Sequence, residues 1–225
     1  MELTATHTRI EPAILYLGTP VVLISTVNPD GTPNLAPMSS AFWLGWRGIL
    51  GMAARSQTVR NLLRTGECVL NLPSDALAPA VDRLAMTTGT TPVPQWKHDR
   101  GYRYEPDKFG TSGLHPVESE TVAPPRVSEC PVAMEAVLEA AHPLAEGDKD
   151  LEGNIVVLEV RVQRVWAHDE IRLAGTTNRI DPNLWRPLIM SFQHFYGLGP
   201  RTTPSTLANI PETAYLSPDV ARSHT

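Results

Sequence analysis

The chain has 225 residues, of which 21 are proline, about 9% against an average near 5%. Because each proline removes a backbone donor and fixes φ, this excess excludes a long-helix bundle or a coiled coil. A hydrophobic fraction of 42% and a charged fraction of 19% exclude a disordered chain. A net charge of −5 at pH 7 argues against nucleic acid as a partner.

Two cysteines, Cys68 and Cys130, are too few for a disulfide framework and are not spaced as metal ligands. The first twelve residues lack a basic segment followed by an apolar run. No apolar stretch approaches the roughly 20 residues that span a bilayer. We therefore expect a cytoplasmic protein that binds no membrane and no metal.

The first predicted element is residues 19–27, which are rich in β-branched side chains and predict a buried strand. Pro and Gly at the second and fourth positions of residues 28–31 predict a type I turn. Residues 32–38 predict a returning strand that contains Pro33 and Pro37. Proline in a strand is typical of a sheet edge or a bulge, so we expect backbone groups of this arm to be free of ladder hydrogen bonds.

Short strands at residues 40–43 and 49–53 precede the first predicted helix. Ser56 is suited to be an N-cap and Gly66 to end the helix, so we predict a helix over Gln57–Thr65. Its predicted apolar face consists of Val59, Leu62 and Leu63.

A strand over Glu67–Leu72 precedes a second helix, which Ser74 would cap. The apolar face of that helix is predicted to contain Leu77, Val81 and Leu84. Residues 87–131 then hold seven prolines and no clear period, which is typical of a functional loop or a wrapped connection. Within this segment, residues 107–114 predict one helical turn.

Residues 132–138 predict a strand, with a helix that reaches Ala141 as the alternative. Residues 154–167 alternate between apolar and polar side chains and predict a long antiparallel strand with a bulge before Val165. Six or so short strands and two modest helices favour a mainly β fold, an antiparallel barrel with flanking helices.

The C-terminal part predicts a helix that begins at Asp181 and Pro182 and is interrupted by Pro187. Its predicted apolar face consists of Trp185, Leu188, Ile189, Phe192 and Phe195. Residues after Gly199 predict an extended tail or arm, because they are polar and contain several prolines.

Residues 54–61 carry the first chemical signal, because they join a strand to the start of a helix. Free N–H groups and the helix dipole attract an anion at such a point. Arg55, Ser56 and Thr58 add a cation and two hydroxyls. An ordinary N-cap beside a solvated arginine is the alternative interpretation.

Residues 34–42 carry the second signal, because their prolines and serines present backbone N–H groups and small hydroxyls. Such donors suit the carbonyl and ring-nitrogen edge of a flat heteroaromatic molecule. The alternative interpretation is an ordinary edge strand that avoids aggregation by containing proline.

Two stretches contain these signals: TPVVLISTVNPDGTPNLAPMSSAF from residue 19 and RSQTVRNLLRTGECVLNLPS from residue 55. Together they resemble the flavin reductase-like family, which has the FMN-binding split barrel. The resemblance extends through DKFGTSGL, ECPVAMEA and GNIVVLEVRVQRV, to about residue 169.

The resemblance implies a Greek-key antiparallel β-barrel that forms a homodimer with FMN near the subunit interface. The arm would line the isoalloxazine ring, and the helix start would hold the phosphate. The implied cofactor-binding residues are Ala36, Pro37, Met38, Ser39, Ser40, Arg55, Ser56, Thr58 and Asn61.

The resemblance also divides the chain into an FMN-binding split-barrel domain, residues 1–170, and a C-terminal extension, residues 171–225. The extension would pack on the barrel or on a partner subunit. His194, close to Tyr196, is the candidate catalytic residue of this extension. Packing of its aromatic side chains as ordinary core is the alternative.

The leading functional hypothesis is an NAD(P)H-dependent FMN reductase that transfers hydride between nicotinamide and flavin. No G-x-G-x-x-G sequence is present, so NADH or NADPH would bind without a Rossmann domain. One alternative is an FMN-dependent reductase or oxygenase of a small organic substrate. Another is a non-catalytic electron-transfer or flavin-binding protein. A separate oxygenase is a candidate partner of the reductase.

Overall fold

A computed structural model describes residues 7–223, and the backbone is built mainly from antiparallel strands. In chain order, the strands are β1 (Leu17–Pro20), β2 (Val22–Val27), β3 (Pro33–Met38), β4 (Ala41–Leu44), β5 (Arg47–Ala53), β6 (Glu67–Leu72), β7 (Thr87–Thr88), β8 (Arg103–Tyr104), β9 (Pro116–Val117), β10 (Arg126–Val127), β11 (Val132–Pro143), β12 (Ile155–Ala167), β13 (Ile189–Ser191) and β14 (His194–Tyr196).

The α-helices are short and lie around the strands. They are α1 (Gln57–Thr65), α2 (Ala78–Ala85), α3 (Gln95–His98), α4 (Lys108–Ser112) and α5 (Pro218–Arg222). Single 3₁₀ turns lie at Asp75–Leu77, Asp169–Ile171, Thr206–Asn209 and Glu212–Tyr215. Within residues 7–223, no helix has the length and apolar character needed to cross a membrane.

The main sheet has seven strands in the order β3-β2-β6-β11-β12-β5-β4, so β3 and β4 are its two edges. A second sheet of three strands, in the order β1-β13-β14, lies outside it. The prediction of a mainly β fold with flanking helices is confirmed.

The β2–β3 hairpin forms as predicted, with Val22 opposite Met38 and Val27 opposite Pro33. In the turn, the N–H of Gly31 donates to the carbonyl of Asn28 at 3.0 Å. The two prolines of β3 lie on an edge strand, where a missing N–H breaks no ladder on the outer side. The edge prediction is therefore confirmed.

The core has two main layers on opposite sides of β2. One cluster combines inward side chains of six strands with α1, as expected when a sheet curls around its own interior; its largest members include Ile24, Leu50, Leu62, Leu70 and Leu158. The other cluster packs the outer face of β2 and β3 against α2 and α4; it includes Leu23, Leu35, Val81, Leu84 and Phe109.

Helix α1 begins and ends at the predicted residues. The Ser56 hydroxyl accepts a hydrogen bond from the Val59 N–H, and Gly66 adopts the left-handed conformation, with φ of 73°. The predicted apolar face is too wide, because Leu63 is exposed whereas Val59 and Leu62 are buried.

Helix α2 differs at its start. Ser74 makes no capping hydrogen bond, and a 3₁₀ turn precedes the helix, which begins at Ala78. Val81 and Leu84 are buried as predicted. Helix α4 confirms the turn predicted for residues 107–114, with the Asp107 carboxylate as its N-cap.

The single strand predicted for residues 19–27 is divided between the two sheets. The break falls at Val21, whose N–H donates to the carbonyl of Leu188 at 2.9 Å. Residues before the break pair with β13, and residues after it pair with β3 and β6. Periodicity does not reveal which partner a strand pairs with, so the division was invisible in the sequence.

Strand β11 is longer than predicted and extends to Pro143, so the helical alternative is wrong. Pairing on both sides, with β6 and β12, provides the ladder hydrogen bonds that favour the strand. The predicted bulge in β12 lies at Gln163, because Glu135 pairs with Arg164 and Ala136 with Val162.

The helix predicted from Asp181 is wrong. Residues there form a turn that is followed by the β13–β14 hairpin, and β13 pairs with β1. Of the apolar residues at helical spacing, Ile189 lies in β13, Phe195 in β14 and Phe192 in the turn between them. Pairing with β1 is a long-range interaction that outweighs the local helical pattern, and Pro187 already opposes that pattern.

The tail after Gly199 ends in α5, which is attached to the barrel by charged groups. Arg47 Nε lies 2.9 Å from Asp219 Oδ2, and Arg47 Nη1 lies 2.7 Å from Glu159 Oε1. The Arg47 guanidinium and Arg222 hold the pKa of Asp219 below its usual value, opposed by partial burial of the carboxylate.

Candidate functional site

A cavity of about 680 Å³ follows the free edge of β3. Its walls are the β3–β4 connection, the start of α1, one side of α2, the Pro-rich segment and the β13–β14 hairpin. A volume of this size falls in the usual range for small-molecule sites.

The start of α1 forms one wall of the cavity. Ser56 caps the helix and uses the N–H of Val59, so the N–H groups of Gln57 and Thr58 are left without an intrahelical acceptor. Ser56, Gln57 and Thr58 all line the cavity. The helix dipole adds partial positive charge at the same point.

Lys108 reaches the same cavity from α4. Its side chain is only 4% exposed, and its ammonium forms no hydrogen bond or ion pair within residues 7–223. Burial lowers the pKa of Lys108 to about 8; repulsion by Lys97 lowers it too, and attraction by Glu105 opposes both. A buried cation without a partner is costly, and an anion in the cavity would remove that cost.

Lys97 is a second, half-buried cation of the cavity. Its Nζ donates to the hydroxyl of Thr88 at 3.1 Å and lies 5.4 Å from the Trp96 ring centre and 5.5 Å from that of Tyr102. Burial lowers the pKa of Lys97, and the nearby Arg60 guanidinium adds to the effect. The cavity therefore has one strongly cationic end.

Gly89 brings the backbone of the Pro-rich segment against this cationic end. A Cβ built on Gly89 would lie 2.6 Å from the amide oxygen of Asn34 and 3.3 Å from Cγ of Gln57. Since real Cβ atoms do not approach other atoms so closely, a larger residue at this position would displace the Asn34 side chain or the segment itself.

Residues 36–40 form the wall along β3. Ala36, Pro37, Met38, Ser39 and Ser40 all line the cavity. Within the part of the chain that the structure describes, the backbone N–H groups of Ser39 and Ser40 donate to no protein acceptor. These donors are available to an acceptor atom of a bound molecule.

A family model described as "Flavin reductase like domain" matches residues 15–199, which is most of the chain. The chain belongs to the flavin reductase-like family. Its split-barrel fold is confirmed by this match together with solved structures of similar fold, one of which, from Shewanella frigidimarina, is described as having a split barrel domain. As a member of this family, the protein is a flavin-related oxidoreductase.

A curated relative is 38% identical over 191 residues, which cover 85% of this chain and 89% of the relative. It is the "Uncharacterized protein YdfE" of Bacillus subtilis (strain 168).

Solved structures of similar fold include nitrilotriacetate monooxygenase component B from Bacillus cereus (TM-score 0.70, 22% identity, covering 89% of this chain and 100% of that one). Flavoredoxin of Desulfovibrio vulgaris has a TM-score of 0.71 at 20% identity, covering 92% and 100%. The 2-nitrobenzoate 2-nitroreductase of Pseudomonas fluorescens has a TM-score of 0.67 at 15% identity, covering 88% and 89%.

The structure brings most of the candidate residues of this flavin reductase-like chain to one cavity. They are Ala36, Pro37, Met38, Ser39, Ser40, Ser56 and Thr58. The two stretches 36–40 and 56–58, which are 15 residues apart in the sequence, therefore line the same cavity. Their contact with a flavin stays a prediction.

Three candidate residues lie elsewhere. Arg55 is exposed and does not line the cavity. Asn61 is fully buried and uses its amide to hold Thr26, Asn28 and Gln57, so it positions α1. His194 is exposed on β14 and outside the lining, whereas its strand neighbour Phe195 points into the cavity wall.

Sequence reasoning missed the residues of the Pro-rich segment and of the hairpin. Lys108 stands inside DKFGTSGL, a stretch that the family resemblance already contained, but no periodicity marks its ammonium as buried. Lys97 and Gly89 lie where the sequence has no regular pattern. Gln193 reaches the cavity only because β13 pairs with β1.

Proposed function

We propose that this protein binds FMN and acts as an NAD(P)H-dependent flavin reductase. The observation that carries the proposal is Lys108, a buried cation without a partner in the described residues, which lines the same cavity as Gln57 and Thr58 with their free N–H groups. A phosphate at this point would accept those hydrogen bonds and pair with the ammonium. Lys97 adds a second cation at the same end.

The ring of the flavin would lie along the arm, from Ala36 to Ser40. Ser39 and Ser40 line the cavity, and their free N–H groups would stabilise negative charge on the reduced ring. When bound, the flavin supplies the two-electron chemistry that side chains lack. The residues of the arm bind and orient it, and the apolar surroundings exclude water.

Asn61 and Arg55 have different parts in this proposal. Asn61 supports the phosphate site indirectly, because it ties the first turns of α1 to Thr26 and Asn28. Arg55 would act on the phosphate only through long-range attraction, since it lies in solvent. His194 would have no direct contact with the flavin.

The test is the visible spectrum and the nucleotide oxidation rate of the purified protein. We expect FMN to remain bound or to bind at micromolar concentration, and the holoprotein to oxidise NADH or NADPH faster than free FMN does. Absence of flavin binding would overturn the whole proposal. Flavin binding without oxidation of either nucleotide would leave a flavoprotein of the electron-transfer type.

A second candidate function is the reduction or oxygenation of a specific small organic molecule at bound FMN. The apolar end of the cavity, which includes Val81, Met190 and Phe195, favours it because it offers a binding wall beyond the arm. Retention of FMN through gel filtration would support this function. Rapid exchange of FMN would support a reductase that supplies a separate oxygenase, as the likeness to nitrilotriacetate monooxygenase component B suggests.

We also propose that the protein is a homodimer. Four apolar side chains are each more than half exposed: Leu15, just before β1, Leu17, in β1, and Phe42 and Leu44, on the edge strand β4. An exposed apolar sheet edge of this kind is typical of a protein–protein interface. Tyr16 lies between Leu15 and Leu17 and lines the cavity, so a partner seated here would reach the cavity mouth.

Light scattering tests the dimer. Phe42→Glu should convert the dimer to a monomer, whereas Leu63→Glu, an equally exposed site on α1, should not. A monomeric wild type would contradict the dimer.

The two cysteines are free and buried, which agrees with a reducing compartment, and we place the protein in the cytoplasm on that ground. The division into residues 1–170 and 171–225 stays a prediction.

A further inference from the structure

The β13–β14 hairpin forms another part of the cavity wall, through Met190, Gln193 and Phe195. The stem of this hairpin is fixed next to the start of α2, because Leu188 donates its N–H to Pro73 and Asp75 donates to Arg186. The cationic end follows the last residue of α2, where Thr88 accepts the Lys97 hydrogen bond.

The turn of the hairpin has an unusual backbone. Phe192 and Gln193 have φ of 43° and 67°, the left-handed region that both central residues of a type I′ turn require. Glycine or asparagine is preferred there, because other side chains cost conformational energy. The chain nevertheless places a glutamine at the second position, and that glutamine lines the cavity.

The hairpin side chains that line the cavity are suited to bind a flat and largely apolar group. Met190 and Phe195 of the hairpin are half-buried against the apolar cluster of α2, and Gln193 is the polar side chain beside them. A glutamine amide offers one acceptor and two donors, which match a primary carboxamide. The carboxylate of Asp82, which also lines the cavity, disfavours an anionic ring.

We infer that the β13–β14 hairpin binds the second substrate of the reaction, and that the Gln193 amide recognises a neutral carboxamide on a planar ring. The nicotinamide half of a pyridine dinucleotide has this chemistry. The inference rests on the proposed function and adds a specificity-determining residue to it. Gln193 is a binding residue in this account, and Met190 and Phe195 provide the apolar wall.

The test compares two glycine substitutions in one turn. Gln193→Gly removes the amide, and Phe192→Gly removes a side chain that does not line the cavity; both relieve the left-handed strain. The measurement is the calorimetric Kd of NAD⁺ and NADP⁺ for the FMN-loaded proteins, together with KM, kcat and Tm.

We expect Gln193→Gly to weaken nucleotide binding about five- to tenfold and to raise KM similarly, with FMN affinity unchanged. Phe192→Gly should keep the wild-type Kd, and both variants should have a Tm no lower than the wild type. Unchanged nucleotide affinity in Gln193→Gly, or an equal loss in Phe192→Gly, would overturn the role of the amide. A wild type that binds FMN but neither nucleotide would overturn the inference and the reductase proposal together, whereas the first two results leave the reductase intact.

Discussion

The side-chain amide of Asn34 donates a hydrogen bond of 3.1 Å to the hydroxyl of Thr58. Asn34 belongs to the edge strand β3, and Thr58 belongs to the first turn of α1. This bond therefore joins the two stretches that carry the family resemblance. Asn34 also donates to Thr26 at 3.1 Å, and all three residues are buried.

Removal of this junction should affect stability and flavin binding together. Asn34→Ala leaves the hydroxyls of Thr26 and Thr58 without the donor they share, so we expect a loss of about 1–3 kcal/mol in the free energy of unfolding. FMN affinity should fall as well, since the first turn of α1 is no longer held against β3. Urea denaturation and FMN titration measure the two effects. Asn154→Ala, which removes an exposed amide bond to Asp150, is the control and should change neither.

Lys108→Met should separate phosphate recognition from ring recognition. Loss of a charge-assisted hydrogen bond of about 1.5–3 kcal/mol predicts a roughly 10- to 100-fold weaker affinity for FMN. Riboflavin, which lacks the phosphate, should bind both proteins alike. Fluorescence titration with the two flavins provides the comparison. The same change at the exposed Lys149 should have no effect, and an equal loss for riboflavin would contradict a phosphate at Lys108.

The pKa of Lys108 predicts a pH dependence with a definite sign. Because this pKa is about 8 in the flavin-free protein, the ammonium loses its proton as the pH rises above that value. Only the charged form attracts phosphate, so FMN affinity should fall with rising pH from about 8 upward. Riboflavin affinity should stay flat, and Lys108→Met should abolish the difference. A constant ratio of the two affinities from pH 7 to about 9.5 would show that Lys108 does not contact the phosphate.

The same lysine predicts how the stability of the flavin-free protein depends on pH. The unfolded chain keeps the proton up to a pKa of about 10.4, whereas the folded chain releases it from about pH 8. Folding is therefore accompanied by proton release between these values, and this group makes stability rise with pH there. Thermal denaturation of wild type and Lys108→Met isolates the contribution. The methionine variant should be more stable at pH 7, and a less stable one would contradict an unpartnered buried charge.

Gly89→Ala tests the close approach of the Pro-rich segment to α1. The new methyl group would lie 2.6 Å from the amide oxygen of Asn34, so the buried Asn34 side chain or the segment must move. Overpacking of this kind costs about 1–3 kcal/mol, and the displacement should also weaken FMN binding. Gly199→Ala is the control, because a Cβ there has no neighbour within 4 Å. Calorimetry and FMN titration of the two variants suffice.

The elements that the sequence predicts accurately are those with local causes. Helix α1 is determined by Ser56 and Gly66 within its own span, and the edge position of β3 follows from Pro33 and Pro37. The alternation in β12 needs no partner to be visible. The helix predicted from Asp181 is wrong because the structure there has a non-local cause: pairing between β13 and β1 joins residues about 170 positions apart.

The proline excess excluded a long-helix bundle without any structure, and the short strand patterns predicted a mainly β chain. The sequence alone also determined the first turn of α1 and the family resemblance. Only the tertiary structure decided that Lys97, Lys108, Gly89 and Gln193 meet at the cavity that residues 36–40 line. The physical reason is that burial and proximity depend on contacts between distant elements. The charge of a lysine is visible in the sequence, but the absence of its partner in the fold is not.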